Sequence, residues 1–281
     1  MKGAGEQTEK SFLLEATLRV SPEALERDLP LLAEEWGGFG FVEEGGEVRV
    51  IFYLSPEDRE RFREACRRYG WEEISFREVP EEDWSSTWRE SFKPLRVSSR
   101  IWVCPPWERV KTDPGEVEIV IDPGQAFGTG HHPTTALMLE ALDRLFREGP
   151  PGRVLDLGCG TGILAIAAAK LGAEHVVALD IDPRACQAAR ENVQRNGVRV
   201  EVLSGRIEEI QADFDLILAN ISAWELRTLA PVLRERLRPG GRLFLSGFLA
   251  KEIAEMLEAY RNLDLISRQV RDEWGFLAFR K

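Results

Sequence analysis

Four groups of residues in this 281-residue chain have types and spacing that could do chemistry. DPGQAFGTGHHPTT, residues 122–135, sets three glycines beside adjacent histidines and a run of threonines. LDLGCGTG follows at residues 155–162, Asp180 closes the apolar run VVALD, and Asn220 closes FDLILAN. Two glycine-rich loops, an acid and an amide, each next to a strand-like run, suit a nucleoside-binding site.

The second loop narrows the ligand. A dinucleotide fingerprint reads G-x-G-x-x-G. Here the glycines are Gly158, Gly160 and Gly162, and Ile163 stands where the third should be. Asp156 would also repel a pyrophosphate. DxGxGxG instead suits S-adenosylmethionine, which has no phosphate and carries a cationic sulfonium and amino group. Gly158 and Gly160 let the backbone approach the cofactor, and Asp156 is expected to help anchor its methionine end through water. Asp180, at the end of the next strand, is placed to accept both ribose hydroxyls. Asp182, followed by Pro183, reads as a helix cap. Asn220 would face the reacting amine as an acceptor for its N–H. The alternative is an asparagine that ends its strand by capping a helix. Methyltransferases of glutamine or adenine commonly read NPPY here, whereas this chain reads NISA.

The histidine pair has three readings: metal site, base or packing. Adjacent side chains diverge on an extended chain, and the remaining His175 stands at the start of a distant strand, so no third ligand appears at metal spacing. No metal is assigned, and the pair is expected to be polar lining or packing.

These residues need elements to position them. Phe12, Leu14, Ala16, Leu18 and Val20 alternate as in a half-buried strand. Helix starts follow at Ser21-Pro22-Glu23 and Ser55-Pro56-Glu57, around a hairpin turning at Glu44-Gly45-Gly46, and WEEISFREV supplies a fourth strand. That order predicts a ferredoxin-like split unit. Residues 81–112 break the regularity with prolines and tryptophans and read as a connector packed against both sides. From Val117, the runs VEIVI, RVLDLG, HVVALD, VEVL, FDLILAN and GRLFLSG alternate with helical stretches, which predicts a parallel sheet covered on both faces. LDLISRQV and WGFLAFR lie close enough to form an antiparallel pair.

Composition bounds the rest. Net charge is 37 − 48 = −11, which disfavours direct nucleic-acid binding. Residues 1–110 carry −7 of it, suiting a basic protein partner or a solvated surface. No apolar run approaches the roughly 20 residues of a spanning helix, and the polar opening MKGAGEQTEK lacks a secretory signal's apolar segment. Four cysteines without a CxxC pair suit reduced thiols in a cytoplasmic protein.

Taken together, PGQAFGTGHHPTT, LDLGCGTGILAIAAAKLGA, ALDIDPRACQAARENVQRNG and DLILANI resemble the PrmA family of ribosomal protein L11 methyltransferases. DWSSTWRESFKPLRV is similar to that family's interdomain segment. The resemblance covers residues 80–250 closely. It implies that Phe127, Gly128 and Thr135 contact S-adenosylmethionine from above, that Gly158 lines its pocket, that Asp180 holds the ribose and that Asn220 faces the amine. The implied fold is a Rossmann-like, seven-stranded α/β class I methyltransferase domain (115–281). A ferredoxin-like α+β substrate-recognition domain (1–80) and a connector (81–114) precede it. The expected activity is methylation of lysine and N-terminal amines of L11, by a cytoplasmic monomer without membrane association. Rival readings are a methyltransferase for lysines of another protein, an NAD enzyme and a non-catalytic cofactor-binding module.

Overall fold

The computed structural model describes residues 12–20, 32, 36, 39–44, 47–71, 73–80, 92–122, 130 and 132–281. The chain divides into two compact units, Met1–Ser91 and Phe92–Lys281.

In the first unit, β1 (Phe12–Val20), β2 (Phe39–Glu44), β3 (Glu47–Leu54), α1 (Arg59–Arg68) and β4 (Ile74–Pro80) follow in sequence. The sheet order is β2-β3-β1-β4 with every pairing antiparallel, which is the ferredoxin-like strand order. Alternation along β1 puts Leu14, Ala16, Leu18 and Val20 into one core, against Val50 and Phe52 of β3 and Phe62 of α1. Pro56 opens a short 3-10 turn that runs into α1. The helix expected from Ser21 and the turn glycines Gly45 and Gly46 lie outside the described residues.

The second unit begins earlier than the sequence pattern suggests. β5 (Leu95–Arg96), β6 (Ile101–Cys104) and β7 (Val117–Val120) form a three-stranded sheet of their own. Residues 92–114, expected to be connector, therefore belong to this unit, and VEIVI joins the small sheet rather than the main one. The strands are too short for a periodic signal. They are held by contacts distant in sequence: Arg100 Nε donates to Asp143 Oδ1 at 2.6 Å, and Trp102 Nε1 donates to Glu116 Oε2 at 3.2 Å.

The main domain then runs α2 (Pro133–Glu148), β8 (Arg153–Leu157), α3 (Ile163–Leu171), β9 (His175–Asp180), α4 (Pro183–Asn196) and β10 (Glu201–Ser204). It continues with β11 (Phe214–Asn220), α5 (Ala223–Arg236), β12 (Leu237–Leu249), α6 (Ile253–Ala259), β13 (Asp264–Arg271) and β14 (Trp274–Arg280). Seven strands order as β10-β9-β8-β11-β12-β14-β13. The first five are parallel, whereas β14 runs antiparallel to both β12 and β13.

Winding reverses between β8 and β11, so the crevice beyond their carboxyl ends is where a ligand belongs. Period-two alternation sorts the two cores. Val154, Val176, Ala178, Leu216 and Leu218 face α2 and α3, while Leu155, Leu179, Ile217 and Ala219 face α5 and α6. α3, apolar on every face, is buried over most of its length, as such a helix must be.

Candidate active site

The same alternation places the site residues. Asp156 continues the Val154 face of β8, Asp180 the Ala178 face of β9 and Asn220 the Leu218 face of β11. Leu218 and Ala178 flank Asp156 in register, so all three polar groups project from the carboxyl end of the sheet on the side of α2 and α3.

The glycine turn links β8 to α3. Gly158 N–H donates to Leu179 O at 2.8 Å, tying the turn to the neighbouring strand. Gly158 has φ +67°, and a Cβ there would stand 2.2 Å from Ile221 Cγ2. Left-handed backbone and close approach both exclude a side chain. Gly160 donates its N–H to Asp180 Oδ2 at 3.0 Å, and Asp182 N–H donates to Oδ1 at 3.0 Å. A carboxylate offers about four lone-pair sites, so each Asp180 oxygen keeps one for a ligand hydroxyl. Asp182 caps α4 by accepting from Arg184 N–H at 2.8 Å.

Asp156 is enclosed, and its Oδ2 accepts from Ala165 N–H in the first turn of α3 at 2.9 Å. Burial pushes its carboxyl up to about 8; the Ala165 bond opposes that rise and the Asp180 charge adds to it. A cation arriving beside Asp156 and Asp180 would restore the ionised form. Burial also pushes the Cys159 thiol, in the middle of the turn, far above its ordinary value, so it is no nucleophile.

Asn220 carries the feature that points most directly to a reacting group. Its Nδ2 donates to Thr135 Oγ1 at 3.5 Å, while its Oδ1 is buried with no hydrogen-bond partner among the described residues. An unsatisfied buried acceptor costs about 1–3 kcal/mol, which a ligand N–H in that position would recover. Asn220 is not a helix cap, because Ser222 fills that role in a capping box with Glu225. Thr135 is fully buried in the first turn of α2.

His132 caps α2: its Nδ1 accepts from Thr134 N–H at 3.3 Å, and its ring packs edge-on against Trp274 at 4.7 Å. Burial holds its pKa below the ordinary imidazole value, in keeping with a neutral acceptor. Phe127, Gly128 and His131 lie outside the described residues. No group of three or more potential metal ligands occurs among the described residues.

Sequence reasoning missed the support beneath Asn220. Gly247 of β12 has φ +93°, and a Cβ there would meet Ile221 O at 2.3 Å and Ile221 N at 2.9 Å. The β12–β14 register shifts between Ser246 and Phe248, around this glycine. A lone glycine inside a strand pattern, LSGFL, was the available signal. Ile221 is thereby held between the glycine turn and β12, directly after Asn220.

The residues present fit a cationic nucleoside ligand: two carboxylates, a glycine turn and a buried acceptor lie at the carboxyl ends of the strands on one face of the sheet. Residues 43–281 match the family model described as ribosomal protein L11 methyltransferase (PrmA). The ribosomal protein L11 methyltransferase of Dechloromonas aromatica is 42% identical over 275 residues, spanning 95% of this chain and 92% of that protein. That of Syntrophotalea carbinolica is 42% identical over 252 residues, spanning 83% and 81%. A solved ribosomal protein L11 methylase from Lactobacillus delbrueckii subsp. bulgaricus superposes with a TM-score of 0.63 at 33% identity, over 68% of this chain and all of that one. A family model matching most of the chain, together with a 42% identical relative aligned nearly end to end, establishes that this chain belongs to the ribosomal protein L11 methyltransferase (PrmA) family.

Proposed function

We propose that this protein transfers methyl groups from S-adenosylmethionine to amines of ribosomal protein L11, lysine side chains and the N-terminal amine among them, in the cytoplasm. The observation that carries this reading is the buried, unpartnered Asn220 Oδ1 at the carboxyl end of β11, beside a glycine turn flanked by two carboxylates. S-adenosylmethionine supplies a methyl carbon activated by a sulfonium leaving group. The chain must then align a neutral amine with it, since alignment rather than acid–base chemistry is the main requirement. Deprotonating a lysine of pKa about 10.4 at pH 7 costs about 4–5 kcal/mol, which desolvation beside a positive charge lowers.

In this reading Asn220 Oδ1 accepts the amine N–H and aims the lone pair. Asp180 accepts the ribose hydroxyls, and Asp156 offsets positive charge at the methionine end. Gly158 and Gly160 leave room for the ligand, while Phe127, Gly128 and Thr135 close over it. No residue serves as a dedicated base. Residues 1–80 serve as the substrate-recognition unit and residues 115–281 as the catalytic one. A non-catalytic module would have no use for an acceptor kept buried and unpaired.

The test is incubation of purified L11 and a whole-cell extract with labelled S-adenosylmethionine, with the full chain and a chain lacking residues 1–80 checked for folding by circular dichroism. Label in L11 with the full chain alone is expected. Label in a different protein, or an undiminished rate with the folded truncation, would overturn the corresponding part.

A further inference from the structure

We propose that Asn192 is a positioning residue for S-adenosylmethionine, clamping the glycine turn to the end of β7. The inference rests on the cofactor site proposed above and adds to it a residue that lies in α4, to which the sequence reading assigned no role.

Asn192 is a buried polar side chain, 1% exposed, and both ends of its carboxamide are bonded. Nδ2 donates to Thr161 O in the glycine turn at 3.0 Å. Oδ1 accepts from Asp122 N–H at 3.1 Å and from Arg195 Nη1 at 2.9 Å. One amide thus bridges the glycine turn and Asp122, two residues past the end of β7.

Its neighbours repeat the device. Asn196, one helical turn further on, donates through Nδ2 to Val120 O at 2.6 Å and accepts through Oδ1 from Val120 N–H at 2.9 Å. That pair of bonds is what a neighbouring strand would supply, so the helix side chain stands in for the missing partner on the free edge of β7. Arg195 adds an ion pair to Asp122 at 3.2 Å. Three residues of one helix therefore hold Val120 and Asp122.

A surface helix has no need for such an arrangement if its only task is to cover the sheet; Cys186 and Ala189 already bury its apolar face. Buried polar groups that satisfy each other fix one geometry, because any shift leaves an acceptor unpaired. The geometry fixed here is the separation between the glycine turn and the chain just past β7.

Asn192→Asp isolates the clamp. One carboxylate oxygen still accepts from Asp122 and Arg195, while the other sets a lone pair against Thr161 O. Calorimetry with S-adenosylmethionine, run first on the wild-type full chain, should show Kd rising about tenfold in the variant, the loss of one hydrogen bond. Turnover at saturating cofactor should stay within about twofold, a split that general destabilisation does not produce. Asn196→Ala should raise Kd in the same direction and carries the test if Asn192→Asp does not fold. Tyr260→Phe is the control, because it removes a buried hydrogen bond to Leu226 O on the opposite face of the sheet and should leave Kd unchanged. Wild-type-like affinity in the folded Asn variants, or equal weakening by Tyr260→Phe, would overturn the inference while leaving the cofactor site standing. Failure of the wild type to bind S-adenosylmethionine would overturn both.

Discussion

Replacing Gly158 by alanine tests how tightly the floor of the site is coupled to Asn220. Two costs are expected. With φ +67°, an L-residue pays about 1–2 kcal/mol for the left-handed conformation. The added Cβ would also lie 2.2 Å from Ile221 Cγ2, far inside contact distance. Ile221 cannot back away through its main chain, because its N and O already abut Gly247. Relief must come from its side chain or from movement of the neighbouring Asn220. Such overpacking costs about 1–3 kcal/mol. Gly158→Ala should therefore destabilise the second unit by about 2–5 kcal/mol in total.

Ile221→Ala removes Cγ2 and leaves only Ile221 Cβ, at 3.7 Å from the new atom. In that background Gly158→Ala should cost the backbone component alone. The double-mutant cycle then yields a coupling of about 1–3 kcal/mol. Urea unfolding of the transition that S-adenosylmethionine moves to higher denaturant identifies the relevant unit. Additivity of the two substitutions within about 0.5 kcal/mol would refute the proposed contact.

Asp180→Ala should weaken S-adenosylmethionine binding by about 1–3 kcal/mol through the lost charged acceptor, and unchanged affinity in calorimetry would remove it from the site. Asn220→Ala should depress the single-turnover rate at saturating cofactor far more than cofactor affinity; the reverse pattern would mean its role was misassigned. Asp156 has a carboxyl raised by burial to about 8, so its contribution to stability is complete below the ordinary carboxylate range and is lost as pH rises through 8. Cofactor affinity should correspondingly rise with pH up to about 8, as the cation finds an ionised partner, and Asp156→Asn should flatten that profile when titrated by calorimetry.

Local chemistry wrote much of this protein plainly into its sequence. Glycine spacing argued against a dinucleotide, and Asp156, Asp180 and Asn220 stand at or near the carboxyl ends of apolar, strand-like runs. The structure sets these three on one face, because each continues the alternation of a strand buried on both sides. Asp182 and Pro183 marked the start of α4, and Gly197, at φ +62°, its end. What tertiary structure alone decided depends on bonds between residues far apart in the chain. Nothing in ENVQRNG says that Asn192 reaches Thr161 and Asp122, 31 and 70 positions away. Nothing in IWVC says that it pairs with VEIV, or that Arg100 reaches Asp143 to hold it there. His132 was one of several possibilities until its ring stood over the first turn of α2. Periodicity and turn chemistry act over a few residues and leave a readable pattern. A buried carboxamide acts at whatever sequence distance the fold happens to close, and no spacing rule records it.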